Sequence, residues 1–518
     1  MNGIRWTVLS LAAGLLVWTG GTAEAANIVV PGDFTTIQAA VTAAASGDTI
    51  RIRPGVYFEN VAIPGTTPGL TLTQYTGSRF FTICADRGQV IIDAAPGGTL
   101  GKGLDIDADN VKIHCLTIRH ATQGIDADAH DLHLDRIRTL HTSQESIDVV
   151  GDRFKIEKSE FVSGGNQGVR VNGNDGRIVG NTSRNQDRDC YHLTVNNTVI
   201  ENNVAHLCED QEGFEIDGNN NIVRQNRVET TDGNGIDVAG NNNQIVRNAV
   251  SNVDENDGIH VNGNDNIISW NHVEAVTNDC YEINGNNNRV ESNTARGCDG
   301  GYEVSGQNPV VLYNRVELAG NEDGFDIACF TACSAGRVEW NFASGTNNED
   351  EGFDILGAVS GFTVAHNTAE RNIGSGFRLN MSGATIYHNT SIRNGSRSDQ
   401  SGFAISGDNN MITENVAREN KDDGFGITGN TNTLQKNRAE QNLEDGIHIR
   451  SGTGNTLDQN TAWNNHAEGI ENDGTNTVLT SNTASGNRTD CANDGTIATN
   501  TGNTCADGSN FAVAGQID

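Results

Sequence analysis

From Gly168 onward the chain repeats one short phrase, and that repetition constrains its fold more than any other feature. Gly213-Phe214-Glu215-Ile216 is followed by Gly235-Ile236-Asp237-Val238, Gly258-Ile259-His260-Val261, Cys280-Tyr281-Glu282-Ile283 and Gly301-Tyr302-Glu303-Val304. The phrase returns at Gly324, Gly352, Gly376, Gly402, Gly424, Gly446 and Gly469, with a typical spacing of 21 to 23 residues and longer steps where a loop has grown. A fixed period in this range means a solenoid, in which each repeat buries its apolar face only against its neighbours.

Within a repeat, the leading residue, an apolar residue, an acid or His, and Ile or Val read as a strand alternating out, in, out, in. A polar turn follows, often Gly-Asn-Asn-Asn as at Gly218–Asn221, then a second short apolar run such as Ile222-Val223. An Asn then opens a third strand. It falls 13 residues after the leading residue at Asn181, Asn203, Asn226, Asn248, Asn271, Asn293, Asn314, Asn389, Asn415 and Asn437. Three short strands and three turns predict one coil of a parallel β-helix. Stacking coils about 4.8 Å apart brings these Asn residues into a ladder with a structural role. Helical repeats would need longer segments of good helix formers, and no Leu-x-x-Leu-x-Leu frame of a leucine-rich horseshoe is present. The expected architecture is therefore all-β, a single-stranded right-handed parallel β-helix of about 17 coils.

Aromatic content is only 5%, so the core is a thin column rather than a broad globular centre. The formal charge of −33 excludes nucleic acid as a natural partner, because phosphate binding needs a basic stripe, and it argues against anionic membrane surfaces. Residues 1–25 read as a signal peptide, with Arg5 before an apolar run from Val8 to Trp18 and Ala23-Glu24-Ala25 as the cleavage site. A secreted, soluble and monomeric protein is expected. Ten cysteines fit that compartment. Cys190 with Cys208 and Cys280 with Cys298 share an Asp-Cys-Tyr context and a separation of 18 residues. Cys329 with Cys333 and Cys491 with Cys505 are local, which leaves Cys84 with Cys115. No Cys-x-x-Cys pair supports a metal site instead.

The N-terminal stretch differs from the repeats. Ile37, Ala40, Val41 and Ala44 form one stripe of a short helix, with Asp33 placed as its cap, and Gly47 to Tyr57 gives a strand and a turn. A helix here covers the open edge of the first coil. This segment, residues 31–60, resembles the cap of the pectin-lyase-like superfamily, which includes pectin esterases, lyases, epimerases and NosD-like proteins with CASH-type repeats. Together with the repeats the resemblance spans almost the whole mature chain. It speaks to fold and not to reaction. The implied organisation is a leader over 1–25, a cap and first coils over 26–102, repeats over 103–490 and a C-terminal cap over 491–518.

The outward position two residues after each leading residue carries the chemistry. Up the helix it reads Asp105, Asp126, Asp148, Arg170, His192, Glu215, Asp237, His260, Glu282, Glu303, Asp326, Asp354, Arg378, Ala404, Gly426, His448 and Glu471. Unit charges stacked ~4.8 Å apart repel by roughly 3–4 kcal/mol at an effective dielectric near 20, and by about 1 kcal/mol in bulk water. The run Glu282, Glu303, Asp326, Asp354 therefore invites a cation, and Glu215 and Asp237 extend it. Glu212, Asp257, Asp279, Asp323 and Glu351 thicken the acidity. Such oxygen-rich clusters suit Ca²⁺. The plainer reading is a solvated acidic face. Arg170, His192, His260 and Arg378 in the same column favour a functional groove, because acidity alone does not need them.

An acidic polysaccharide meeting this face must be bridged by cations. β-Elimination and C-5 epimerisation both begin by removing the proton beside a uronate carboxyl, and both need that carboxylate neutralised. Resemblance to β-helix lyases implies Ca²⁺ with Arg170 or Arg378 as base, assisted by His192 and His260; Tyr191 faces inward by alternation. The Asp-Pro-His-Asp motif of alginate epimerases, the Asp-Phe-Ile-Phe-Gly of pectin esterases, and the Asn-Thr-Asp and Gly-His-Gly signatures of polygalacturonases are absent. The expectation is a polysaccharide-binding protein acting as a lyase or C-5 epimerase on an acidic glycan, with a non-catalytic carbohydrate-binding solenoid as the alternative. A NosD-like metallo-accessory role is disfavoured by only three Met and no dense His tract.

Overall fold

The computed structural model describes residues 25–75, 84, 89–317, 319–329, 333, 335–345, 350–358, 361–397 and 400–511; the expected leader up to residue 24 and the end of the expected C-terminal cap lie outside them. Each coil is built as the repeat implies. Phe214–Asp217, Ile222–Arg224 and Arg227–Thr231 form one coil, and each strand pairs in parallel with its counterpart one repeat on. The second strands stack into one sheet of 21, and the leading and third strands together form the other. The helix thus has about 21 coils rather than about 17. The additional coils carry Asn27–Val30, Thr49–Ile52, Thr71–Gln74 and Ile497–Thr501 at the two ends, where the repeated phrase is missing.

The interior is a set of stacks, one side chain per coil. Tyr281, Tyr302, Phe325, Phe353, Phe377, Phe403 and Phe425 lie ring over ring on consecutive coils, with centroids 4.6 to 4.9 Å apart. Tyr191 is buried and stacked on Phe214 at 4.4 Å, as alternation required. The spacing is the coil rise itself, so the backbone imposes the parallel stacking.

The Asn ladder forms, and it runs unbroken from Asn181 to Asn503. Nδ2 of Asn226 donates to Oδ1 of Asn248 at 3.1 Å and to the carbonyl of Ile200 at 2.9 Å. Its backbone N–H also donates to Oδ1 of Asn248, at 3.0 Å. Asn341, Asn367, Asn460 and Asn482 belong to the same ladder. Each ladder Asn follows a residue held at a left-handed turn, such as Gln225 (φ 55°) or Arg247 (φ 57°). That conformation is costly for a residue with a side chain, and the ladder bonds hold it in place. A second ladder joins Asn221, Asn243, Asn266 and Asn288, and a third joins Asn372, Asn394, Asn420, Asn442, Asn465 and Asn487.

Two local expectations are corrected. The helix spans Ile37–Ala43, but its cap is Thr36, which accepts from the Ala39 N–H; Asp33 instead accepts from the Val29 N–H. The leading glycines do not point outward. A Cβ on Gly235 would lie 2.3 Å from Cγ1 of Val250 and 2.5 Å from the carbonyl oxygen of Gly258, so the position is glycine for want of space. All five expected disulfides are formed: Cys84–Cys115, Cys190–Cys208, Cys280–Cys298, Cys329–Cys333 and Cys491–Cys505.

Removing one ladder amide strands donors on the neighbouring coil. Asn248→Ala is expected to destabilise the helix by about 3 kcal/mol, whereas a loss at the exposed Asn286 costs under ~0.5 kcal/mol. Native-state hydrogen exchange reads this directly: the Asn226 amide should exchange much faster in Asn248→Ala while the Asn181 amide is little changed.

Candidate functional site

Register fixes the outward column. Pairing runs Asp148↔Arg170↔His192↔Glu215↔Asp237↔His260↔Glu282↔Glu303↔Asp326↔Asp354↔Arg378, one residue per coil. Three residues earlier in each coil sits a second, more buried line, with Asp189, Glu212, Asp257, Asp279, Asp323 and Glu351 among its members.

Every cation of the column that was singled out has carboxylate partners. Nη1 of Arg170 lies 3.0 Å from Oδ2 of Asp148. Nδ1 of His192 contacts Glu215 closely and lies 3.4 Å from Asp189. Those two carboxylates, Asp189 foremost, push the imidazole up to about 10, so it is cationic at neutral pH. Nδ1 of His260 lies 2.8 Å from Asp237 and its Nε2 3.9 Å from Glu282; Asp237 raises its pKa as well. Arg378 pairs closely with Asp354 and lies 3.6 Å from Glu351, and the bond to Asp354 holds its guanidinium charged. Of the expected metal ligands, Glu215, Asp237 and Asp354 are thus engaged with these cations, and Glu282 also accepts from Nδ2 of Asn284 at 2.7 Å.

Between His260 and Arg378 the balance fails. Asp279, Glu303, Glu322, Asp323, Asp326 and Asp350 line a cleft of about 180 Å³ with Tyr302 at its base. Burial, with Glu322 and Asp257 nearby, pushes Asp279 up to about 8. Burial and Glu351 do the same to Asp323, also to about 8. Asp326 rises to about 6 through burial and the charges of Asp354 and Glu303. Burial and Glu282 raise Glu303. The hydroxyl of Tyr302 and Oδ1 of Asp326 are buried without a hydrogen-bond partner. The expected ligands Glu303 and Asp326 are therefore brought together with four acids, of which Glu322 and Asp350 lie in connecting segments outside the repeated phrase.

A further cluster lies nearer the C-terminal end. The column narrows to Ala404 and Gly426, and Arg450 folds back over Gly426 to reach Asp422 at 2.7 Å, Asp423 at 2.9 Å and Ser401 at 3.1 Å. His448 is enclosed by Asp423, Asp445, Glu471 and Asp473 at 3.1 to 3.5 Å. Burial opposes its charge, but these carboxylates outweigh burial and raise it to about 9.

The family described as the right handed beta helix region matches residues 212–369 and 372–515, more than half of the chain. The chain belongs to the right-handed β-helix family. No curated protein sequence matches it. Solved structures share the fold at low identity. The A-module of mannuronan C-5 epimerase AlgE6 from Azotobacter vinelandii is 14% identical, with a TM-score of 0.28, over 77% of this chain and 90% of that one. An alginate lyase from Paenibacillus sp. str. FPU-7 is 15% identical, with a TM-score of 0.32, over 56% and 98%. DFA-IIIase from Arthrobacter chlorophenolicus A6 is 13% identical, with a TM-score of 0.29, over 64% and 85%.

The raised carboxylates of this β-helix set the sign of its pH dependence. Folded values near 8 for Asp279 and Asp323 exceed the unfolded value near ~4, so the folded chain holds more protons across that window. Their contribution to stability is complete below about pH 4 and is lost as pH rises through about 8. His192 acts in the same direction between about 6.5 and 10. The melting temperature is expected to fall between about pH 5 and pH 9, and Asp279→Asn with Asp323→Asn should flatten the part below pH 8. A melting temperature that rises with pH over this range would contradict the assignment.

Proposed function

We propose that this β-helix works outside the cytoplasm on an acidic polysaccharide, bound along the leading-strand face, as a Ca²⁺-assisted lyase or C-5 epimerase. The carrying observation is the cleft between His260 and Arg378, where six carboxylates converge with the orphaned hydroxyl of Tyr302. An all-oxygen donor set of this density fits a hard cation that takes six to eight oxygens. Asp279, Glu303, Glu322 and Asp323 would hold Ca²⁺, which when bound supplies the positive charge that neutralises a uronate carboxylate. Five disulfides support an oxidising compartment, and no helix among the described residues is long and apolar enough to cross a membrane.

In this reading Arg378 binds a substrate carboxylate rather than taking a proton, because its partners keep it charged. Asp326, outward-facing and with its pKa at about 6, is the carboxylate suited to accept the C-5 proton near neutral pH. Arg170, His192 and His260 balance the face on either side and orient the chain. The alternative reading, a non-catalytic glycan-binding solenoid, is favoured by the carboxylate partners already held by Arg170, His192, His260 and Arg378.

One experiment separates the two. Pectate, alginate and glycosaminoglycans are incubated with the protein, with and without Ca²⁺. Unsaturated uronate ends are followed by ultraviolet absorbance and C-5 inversion by proton NMR. The enzyme reading expects Ca²⁺-dependent turnover whose rate rises with pH as Asp326 ionises. Asp326→Asn should lose at least ~100-fold in kcat while retaining binding. Binding without either product on any glycan establishes the solenoid.

A further inference from the structure

Asp189, His192 and Glu215 form a second cluster on the same face, and its donor set differs in kind from that of the cleft. One donor atom from each residue lies within 4.8 Å of the other two. The separation of 3.4 Å between Nδ1 of His192 and Oδ2 of Asp189 is close to the edge, roughly 3.3 Å, of a tetrahedron of N and O ligands bound at zinc distances, and Glu215 meets the same Nδ1 in a direct contact that the ion would replace. Asp189 is fully buried; one oxygen accepts from the Glu212 N–H at 3.1 Å, while its Oδ2 makes no close hydrogen bond and faces Nδ1 of His192 at 3.4 Å and the Glu212 carboxyl, which burial and Asp189 push up to about 8. A buried carboxylate oxygen met only by a long contact to an imidazole is a position that a metal ion bound between the two would complete. His192 and Glu215 are partly open, so an ion reaches the cluster from solvent.

The backbone here is unusually well fixed. Asp189 precedes Cys190, which is bridged to Cys208 on the third strand of the same coil. The same arrangement recurs at Asp279-Cys280-Tyr281-Glu282, bridged to Cys298, where Glu stands in place of His. That substitution changes the donor set from imidazole with carboxylates to oxygen alone. Imidazole favours Zn²⁺ and its transition-metal neighbours, whereas oxygen alone favours Ca²⁺. His192 and Glu303 are five coils apart in the column, roughly 24 Å, so one ion does not serve both places.

We propose that Asp189, His192 and Glu215 bind a divalent transition-metal ion of the Zn²⁺ class, separate from and independent of the acidic cleft. The competing account is an imidazolium ion paired with two carboxylates and no metal.

The test is a titration of the chelator-treated full chain with Co²⁺, in excess Ca²⁺, following the visible absorption that arises when Co²⁺ enters a low-symmetry protein site. The proposal expects a saturable band that Zn²⁺ displaces and Ca²⁺ does not. Asp189→Asn should weaken it at least tenfold, His192→Ala should remove it, and His272→Ala should leave it unchanged. Circular dichroism checks that each variant is folded. His192→Gln, closer in size, keeps the test decisive if His192→Ala does not fold. The absence of a saturable band, displacement by Ca²⁺, or an unchanged band in both Asp189→Asn and a folded His192 variant would overturn the proposal; the last would make His448 its source.

Discussion

The hydrogen bond from one ladder asparagine to the next is the constraint on which the rest of this molecule depends. The turn between second and third strands needs a left-handed residue in nearly every coil, filled here by Gln225, Arg247, Trp270, Ser292 and Tyr313 rather than by glycine. Each such turn is unfavourable alone. The following Asn offsets that cost by accepting from the backbone and side chain of the previous coil while donating to a carbonyl beneath it. Because the bond is made between coils, it fixes the rise and the register together. The same rise then forces seven aromatic rings into one column at 4.6 to 4.9 Å.

What stacks inside also stacks outside, and there the consequence is electrostatic. A globular surface spreads like charges apart, but a register-locked solenoid sets them one rise from each other. Most of the column answers this locally, with Arg170 beside Asp148, His192 beside Glu215, His260 beside Asp237 and Arg378 beside Asp354. Where no cation interleaves, at Glu303 and Asp326, two acids of the more buried line, Asp279 and Asp323, add to the cost. The protein meets it by holding protons on Asp279 and Asp323, both pushed up to about 8. A site that keeps protons at neutral pH for want of a cation is one that a divalent ion would relieve.

The sequence made the column legible because its period counts residues from a glycine that recurs on every coil, and the register follows from counting. It failed where that count breaks. The terminal coils lack the phrase and so were not counted. Asn341 and Asn367 sit in the ladder, but loops before them shift their offset from Gly324 and Gly352. The helix cap moved from Asp33 to Thr36 because Asp33 turns back to the Val29 N–H. Glu322, Asp350 and Arg450 were not legible as site residues, since they reach their partners from outside the repeated positions. The shared Asp-Cys-Tyr context did mark Asp189 and Asp279, but spacing reports nothing about burial.

The leading glycine shows how strongly one coil position depends on the strand across from it. At Gly235 the space is filled by Val250, and at Gly258 by Val273. Register aligns Ala205 with Val228 and Ala295 with Val273, and these alanines belong to the two coils whose leading residue is Cys190 or Cys280. A smaller residue on the third strand thus makes room for a cysteine on the first. In the C-terminal half the third strands carry Ala369, Ala439, Ala462 and Ala484, but the leading residues remain glycine. There the third asparagine ladder takes up the space, with Nδ2 of Asn442 2.7 Å from where a Cβ on Gly424 would sit and Nδ2 of Asn487 2.5 Å from that on Gly469. Valine, a disulfide and an amide ladder are three fillings of one volume. The choice among them decides which coils are pinned covalently. Both coils pinned by a disulfide at this position carry a buried aspartate, Asp189 or Asp279, immediately before the bridge, so each of these acids is held on covalently pinned backbone.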